Sequence, residues 1–317
     1  MKLISIVIPC YNEEDNIDAL YDSLKKLVES KSCVADTEVN LAGYDWEFIF
    51  VNDGSRDLTK QKILDLHAGD PRVRLVSLAR NFGKENAMLA GLDYSRGDAV
   101  IIMDADLQHP VDVIPEMVKL WEEGYQDVYG QRKTRGSESR LHKWMALRYY
   151  SLLDSVGDTP TLPNVGDFRL LDRKAVNALI SMRESQRYTK GLYCWIGFKK
   201  AGVPYVTADR HAGKSSFGTR RLFRLGIAGI TDYTTMPLRI ASVMGLLVSL
   251  AAFAYMIFII VRTILYGEPV TGFPTIVCLI LFLGGIQLLA LGIIGEYIAR
   301  IYKESKHRPP YIVEDEA

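Results

Sequence analysis

The chain has 317 residues, 48% of them hydrophobic, with 38 basic and 38 acidic side chains. A balanced charge excludes a global electrostatic case for nucleic-acid binding. The length allows one large domain plus an appendage.

The first apolar run, "LISIVIP" at 3–9, is too short for a signal peptide and is followed by acid. It reads as a first β-strand made in the cytoplasm. Over 13–29, Ile17, Leu20, Leu24, Leu27 and Val28 recur at helical spacing. Residues 30–45 fit neither pattern and are expected to be a surface insertion. Strands are then expected at 46–53, 73–79 and 99–106, alternating with helices over 57 to about 67, 84–94 and 110–124. Continuous apolar strands in β-α alternation predict an open parallel sheet covered on both faces. Ligands of such sheets sit at the carboxyl ends of the strands. Polar clusters fall at four of those ends: Tyr11-Asn12-Glu13, Asp53-Gly54-Ser55, Asn81 to Lys84, and Asp104-Ala105-Asp106. Residues 133–144 are polar and contain Gly and Ser, which predicts a mobile loop.

The C-terminal third differs in kind. Residues 240–261 and 273–295 carry no charge over about 22 and 23 positions, and roughly 20 apolar residues suffice to cross a bilayer as a helix. Two transmembrane helices are expected. Arg220, Arg221, Arg224 and Arg239 precede the pair and Arg300, Lys303, Lys306 and Arg308 follow it, whereas the intervening loop has only Arg262 at its edge. The positive-inside rule then puts both termini in the cytoplasm. "RRLFRLGIAGI" interleaves arginines with apolar residues, as an interfacial helix does. The expected division is a catalytic domain at 1–218, an interface segment at 219–237, a two-helix hairpin at 238–300 and a cytoplasmic tail at 301–317. Cys10, Cys33, Cys194 and Cys278 lack CxxC spacing and read as reduced thiols.

Asp104 and Asp106 sit two apart, so in a regular strand they would share a face. Crowded carboxylates raise one pKa unless a cation lies between them. Mg²⁺ or Mn²⁺ is held by one or two carboxylates plus substrate phosphates. Asp also suits a strand-end turn or a helix N-cap, so the pair alone leaves both readings open.

Taken in order, "SIVIPCYNEEDNI", "VNDGSRDLT", "RNFGKENAMLAGLDYSRGD" and "MDADLQHP" resemble the family 2 inverting glycosyltransferases of GT-A fold. "GDFRLLDR" at 166–173 and the paired apolar segments resemble the polyprenyl-phosphate branch, which includes dolichol-phosphate mannose synthase and the bactoprenol glucosyltransferases. The resemblance implies an α/β fold, a Rossmann-like, mostly parallel GT-A sheet followed by an amphipathic helix and two transmembrane helices. It implies that Pro9, Tyr11, Glu13 and Asp53 lie against the nucleotide, with Lys84 and Gln108 in the same nucleotide-sugar site. Asp104 and Asp106 would hold the metal, Mg²⁺ or Mn²⁺, and the diphosphate. Asp167 matches the family's acceptor-side acid and, with Asp106, is expected to be catalytic; Arg169 lies beside it. Arg132, Arg140, Arg187, Lys214 and Ser215 are candidate ligands of the acceptor phosphate, since arginine's fork suits phosphate oxygens.

The expected partners are a nucleotide sugar, a polyprenyl phosphate (undecaprenyl phosphate), the bilayer and a second copy of the chain, with no nucleic acid. UDP-glucose is the preferred donor; GDP-mannose, UDP-N-acetylglucosamine and UDP-galactose are alternatives. A processive synthase would carry a QxxRW motif, and none precedes Trp46, Trp121, Trp144 or Trp195. An inactive binding module would have no need of Asp104, Asp106 and Asp167.

Overall fold

The computed structural model describes residues 1–29, 40–132, 165–184, 187–206 and 272–317, with scattered positions between 245 and 266. The chain divides into two compact units. One comprises Met1–Ser155, Thr159–Thr219 and Pro309–Ala317, and the other Val156–Asp158 and Arg220–Arg308.

The first unit is built on an eight-stranded sheet. Its strands are β1 (Leu3–Cys10), β2 (Asp45–Asn52), β3 (Val73–Leu78), β4 (Ala99–Ile102), β5 (Asp127–Arg132), β6 (Val165–Asp172), β7 (Lys200–Tyr205) and β8 (Val313–Glu316). They lie in the order β7-β5-β6-β4-β1-β2-β3-β8. The helices are α1 (Ile17–Glu29), α2 (Thr59–Gly69), α3 (Lys84–Tyr94), α4 (Ile114–Glu122), α5 (Arg173–Ser181) and α6 (Thr189–Trp195).

Side chains of alternating parity along the strands face opposite ways. Ile4, Ile6 and Ile8 of β1 and Phe48 and Phe50 of β2 pack with Ile17, Leu20 and Leu24 of α1 and Met117 and Val118 of α4. Val7, Ile49 and Val51 face the other side, against Ala87, Met88 and Ala90 of α3 and Val176 and Leu179 of α5. Both faces are therefore covered, and the central strands are buried along nearly their whole length. Gly91 of α3 sits where an added Cβ would collide with Val7 and Val51, so the helix lies directly on the sheet.

Three features differ from the sequence reading. The sheet is mixed: β1, β2, β3 and β4 are parallel, but β6 runs antiparallel to both β4 and β5, and β8 antiparallel to β3. The fourth strand ends at Ile102, because the Asp104 amide turns inward to donate to His109 Nδ1 at 3.1 Å. Within the expected insertion, residues 40–45 are ordered by a 3-10 turn at Leu41–Gly43, whose Leu41 carbonyl accepts from Trp46 Nε1 at 3.1 Å. The remainder of that insertion, and the expected loop at 133–144, lie outside the described residues.

In the second unit, α7 (Phe273–Ser305) runs for 33 residues, about 50 Å at the α-helical rise. Among the described residues, one stretch of it, Phe282–Ser305, is long and apolar enough to cross a membrane, and none of that window is buried. The expected first span at 240–261 and the interfacial segment at 219–237 fall largely or wholly outside the described residues. Described positions between 245 and 266 are helical, and an apolar cleft of about 500 Å³ is lined by Leu247, Val248, Ala251 and Tyr255 together with Leu279, Phe282 and Leu283.

Candidate active site

The parallel strands end together. Cys10 of β1 pairs with Asn52 of β2, Asn52 with Ser77 of β3, and Val7 with Ile102 of β4. The segments that follow these ends carry Tyr11, Glu13, Asp53, Lys84, Asp104, Asp106 and Gln108 to one rim. The antiparallel β6 adds to it from the opposite direction. Ile102 pairs with Arg169, so Asp167, two residues before Arg169, meets Asp104, two residues after Ile102. Gln131 pairs with Val165 and Arg132 with Tyr205, which brings the end of β5 to the same rim. A fully parallel sheet would have sent the start of β6 to the far edge.

At the centre stands Lys84, the first residue of α3. Its Nζ lies 2.6 Å from Asp104 Oδ1 and 2.8 Å from Asp167 Oδ2. Burial pushes the Asp167 carboxyl up, but the Lys84 ammonium and the charge of Lys190 outweigh it and bring the pKa down to about 2. Asp167 is thus ionised, and its buried Oδ1 has no hydrogen-bond partner among the described residues. Burial opposes the charge on Lys84, while Asp167 and Asp104 together raise its pKa.

Asp106 Oδ1 accepts the Gln108 amide at 3.2 Å, closing a tight turn in which Leu107 takes φ +59°. A leucine in the left-handed region is strained, and such strain concentrates at ligand-binding turns. His109, buried and stacked on Phe168 at 4.8 Å between ring centroids, braces this turn by accepting the Asp104 amide. Burial lowers its pKa, so the ring is neutral with its proton on Nε2.

Asp53, expected in the nucleotide site, is engaged by the backbone of a neighbouring loop. It is 3% exposed, and its two oxygens accept the Phe82 amide at 2.7 Å and the Gly83 amide at 2.9 Å. It therefore fixes the loop that delivers Lys84. Gly54 beside it has φ +63°, and a Cβ there would lie 2.5 Å from the Arg80 carbonyl carbon. Tyr11 is 44% exposed, Pro9 half-buried, and Glu13 accepts from Asn16 Nδ2 at 2.7 Å. Arg132 donates to Tyr205 Oη at 3.2 Å. Arg187 is buried, and its guanidinium donates to the carbonyls of Met182 at 2.6 Å and Leu179 at 3.1 Å. That is a helix-end contact at α5, where the sequence reading expected a phosphate ligand. Arg140, Lys214 and Ser215 lie outside the described residues.

Other contacts at the site escaped sequence reading. Glu85 accepts both the amide of Thr189, at 3.1 Å, and its hydroxyl, tying the start of α6 to α3. Burial raises its carboxyl pKa, and the charge of Asp167 adds to that. Arg169 is 2% exposed, places its guanidinium 3.4 Å from the centre of the Tyr193 ring and pairs with Asp127 at 3.0 Å. Its second amino group holds the Gly166 carbonyl at 3.2 Å, which anchors the strand beside Asp167. No spacing rule joins Glu85 to Thr189 or Arg169 to Asp127, because the partners are distant in sequence and meet only in the fold.

Among the described residues no group of three or more His, Cys, Asp or Glu side chains is placed to enclose a metal. A hard cation held partly by substrate phosphates needs only one or two carboxylates. Asp104, 27% exposed, and Asp106 supply that donor set, and the unpartnered oxygen of Asp167 adds negative charge beside them. The residues fit Mg²⁺ or Mn²⁺.

A family model described as "Glycosyl transferase family 2" matches residues 5–180, and one described as "GtrB C-terminal hairpin" matches 236–301. The chain belongs to glycosyl transferase family 2 and is a glycosyltransferase. A putative glycosyltransferase, CsbB, of Bacillus subtilis (strain 168) is 44% identical over 313 residues, covering 99% of this chain and 92% of the relative. A bactoprenol glucosyl transferase of Shigella phage SfV is 41% identical over 313 residues, covering 99% and 98%. A crystal structure of glucosyl-3-phosphoglycerate synthase from Mycobacterium tuberculosis, with Mn²⁺, UDP and glucosyl-3-phosphoglycerate, is similar at a TM-score of 0.49 and 22% identity. That match covers 73% of this chain and 78% of the other.

Proposed function

We propose that this enzyme transfers glucose from a nucleotide sugar, UDP-glucose in the preferred reading, to a polyprenyl phosphate at the cytoplasmic face of the membrane. The observation that carries the reaction class is the meeting of Asp104 and Asp167 across the β4–β6 pair, with Asp106 on the adjoining turn. The choice of glucose and of a bactoprenol-type acceptor is supported by the similarity to the relative named bactoprenol glucosyl transferase.

A polyprenyl phosphate is ionised at neutral pH, so its oxygen attacks the sugar C1 without surrendering a proton. Asp167, itself ionised, has no proton to take; it orients the acceptor side and tunes the field there. Pro9, Tyr11 and Glu13 flank the base and ribose, and Gln108 borders the diphosphate. Asp53 acts through the loop it holds. Arg132 at the rim, with Arg140, Lys214 and Ser215, neutralises the acceptor phosphate so that two anions approach each other. Asp104 and Asp106 would hold the Mg²⁺ or Mn²⁺, which when bound stabilises charge on the departing nucleoside diphosphate. The catalytic part comprises 1–218, the segment 219–237 lies at the bilayer surface, and 238–300 forms a two-pass hairpin. The tail at 301–317 lies on the cytoplasmic side.

The test is to incubate purified protein with Mn²⁺ or Mg²⁺, undecaprenyl phosphate and a panel of radiolabelled nucleotide sugars. Label from UDP-glucose is expected in the lipid phase. Transfer from another donor only would overturn the choice of sugar, and hydrolysis without lipid labelling would overturn the acceptor.

A further inference from the structure

Lys84 stands where helix electrostatics disfavours it. It is the first residue of α3, and a cation at a helix N-terminus faces the positive end of the macrodipole. Its placement is explained by the two carboxylates that receive it, 2.6 Å and 2.8 Å away. A bare rim would hold Asp104 and Asp167 as neighbouring like charges with nothing between them. The ammonium supplies the missing positive charge.

We propose that Lys84 is a built-in counter-cation that competes with the divalent metal for Asp104. It yields that carboxylate when metal enters and remains on Asp167. The inference rests on the metal part of the function proposed above.

The side chain suits such an exchange. An ammonium on a four-carbon stem is a compact charge with three rotatable donors. It serves two acids at once and can release one of them. The Lys84 side chain is 43% exposed, so withdrawal from Asp104 meets no packed wall. Its backbone does not move with it, because Asp53 clamps the preceding Phe82 and Gly83 amides. A dication on Asp104 and an ammonium 2.6 Å from the same oxygen would repel each other, so the two occupants exclude one another. Metal then binds only the fraction of molecules in which Lys84 has left Asp104, and its apparent affinity falls by that fraction. The exchange leaves Asp167 neutralised throughout, at the acceptor side, while the metal serves the donor side. It also favours joint entry of metal and nucleotide over metal alone.

The experiment is Mn²⁺ binding by electron paramagnetic resonance to the full chain in detergent, without nucleotide. Wild type is compared with Lys84→Gln, Lys84→Arg and Asp106→Ala. Lys84→Gln removes the charge but keeps much of the length, and is expected to bind Mn²⁺ about fivefold more tightly. Lys84→Arg keeps the competitor and should stay near wild type, whereas Asp106→Ala should lose the site. Tighter binding in Lys84→Gln supports the exchange, including the case in which wild type binds too weakly to measure. Equal or weaker binding in Lys84→Gln overturns it while leaving the metal assignment standing. If neither protein binds Mn²⁺, the exchange is overturned, because removing the competing charge has not freed Asp104 for metal; the metal assignment is then judged separately, by transfer in Asp104→Ala and Asp106→Ala. Melting of each variant by circular dichroism confirms that the compared proteins are folded.

Discussion

Asp53 and Gly83 lie thirty residues apart and meet through a 2.9 Å hydrogen bond from the glycine amide to Oδ2. The neighbouring Phe82 amide donates to Oδ1 at 2.7 Å, so one carboxylate at the end of β2 holds the whole approach to α3. Burial raises the Asp53 pKa and these two amides work against the rise. Asp53→Asn retains one acceptor and turns the other into a donor that faces an N–H. The expected cost is about 1–3 kcal/mol of stability, the range for a buried polar group left unsatisfied. Because the loop delivers Lys84, the KM for nucleotide sugar should rise as well. An unchanged melting temperature together with an unchanged KM would contradict this role.

Arg169 and Asp127 form a buried pair on the strands beside Asp167, with 2% and 0% of their side chains exposed. Removing one member of such a pair strands the other, which costs about 3–5 kcal/mol. Arg169→Met should therefore destabilise the fold strongly. Arg169→Lys should fail to restore it, because lysine cannot reproduce the guanidinium's contacts with Asp127, Gly166 and Tyr193. The double variant Arg169→Met, Asp127→Asn should be less destabilised than the sum of its single changes, as measured by chemical denaturation.

The rim was legible in the sequence where one strand end supplies one polar cluster. Tyr11-Asn12-Glu13, Asp53, Lys84 and the Asp104/Asp106 pair each follow an apolar run, and strand ends in a β-α alternation must converge. The antiparallel entry of β6 was not legible, because "FRLL" carries no mark of direction and neither β4 nor β5 marks which way a neighbour must run. Asp167 was singled out by resemblance; its meeting with Asp104 comes from the register. The backbone contacts of Asp53 and Arg187 were not legible for a related reason. A polar side chain near a site looks the same in sequence whether it faces a ligand or a backbone amide. The tail at 301–317 was expected only to be cytoplasmic, and its strand β8 was not legible, because the strand edge it fills lies more than two hundred residues earlier.

Asp104→Ala and Asp106→Ala should each lower glucosyl transfer at least about a hundredfold, the loss typical of removing one preorganised electrostatic element. The two changes should differ in a way that their contacts explain. Asp106 closes the Leu107 turn by accepting the Gln108 amide, so its loss also loosens the turn. Asp104 releases Lys84 from one of its two partners. Donor binding, followed by fluorescence or calorimetry, should suffer more in Asp106→Ala. Full transfer by either variant would sink the metal assignment.

Asp70 gives a pH dependence away from the site. Its carboxylate accepts from Arg72 Nη2 at 2.7 Å and from Tyr21 Oη at 2.7 Å, and the Arg72 contacts bring its pKa down to about 2 against the desolvating effect of burial. A carboxyl whose folded pKa is depressed binds protons more readily in the unfolded chain. Its stabilising contribution is therefore complete above the unfolded value near 4 and is lost as pH falls toward 2. The size is about 2 kcal/mol. Asp70→Asn should be less stable than wild type at pH 7, and the gap should close as the pH approaches 2. A gap that stays constant down to that pH would show that the pair contributes through packing alone.

The last nine residues, Pro309–Ala317, belong to the first compact unit although a 33-residue apolar helix separates them from the rest of it in sequence. β8 covers the edge of β3, pairing Glu316 with Val76, Asp315 with Ser77 and Val313 with Leu78. The Ala317 carbonyl accepts the Leu75 amide at 2.8 Å, and Lys60 of α2 pairs with Asp315 at 2.8 Å. Upstream, Tyr311 donates to Asp93, which also binds Arg183 at 2.6 Å. An uncovered edge strand of apolar composition invites pairing with another chain. Truncation after Arg308 should therefore lower the melting temperature and produce aggregates on size-exclusion chromatography in detergent. Tyr311→Phe, which removes one hydroxyl and leaves the strand, should cost only about 1 kcal/mol and keep the protein dispersed. If the truncated chain stayed as stable and as dispersed as the full one, the β3 edge would need no cover, and β8 would have no part in holding the catalytic unit together.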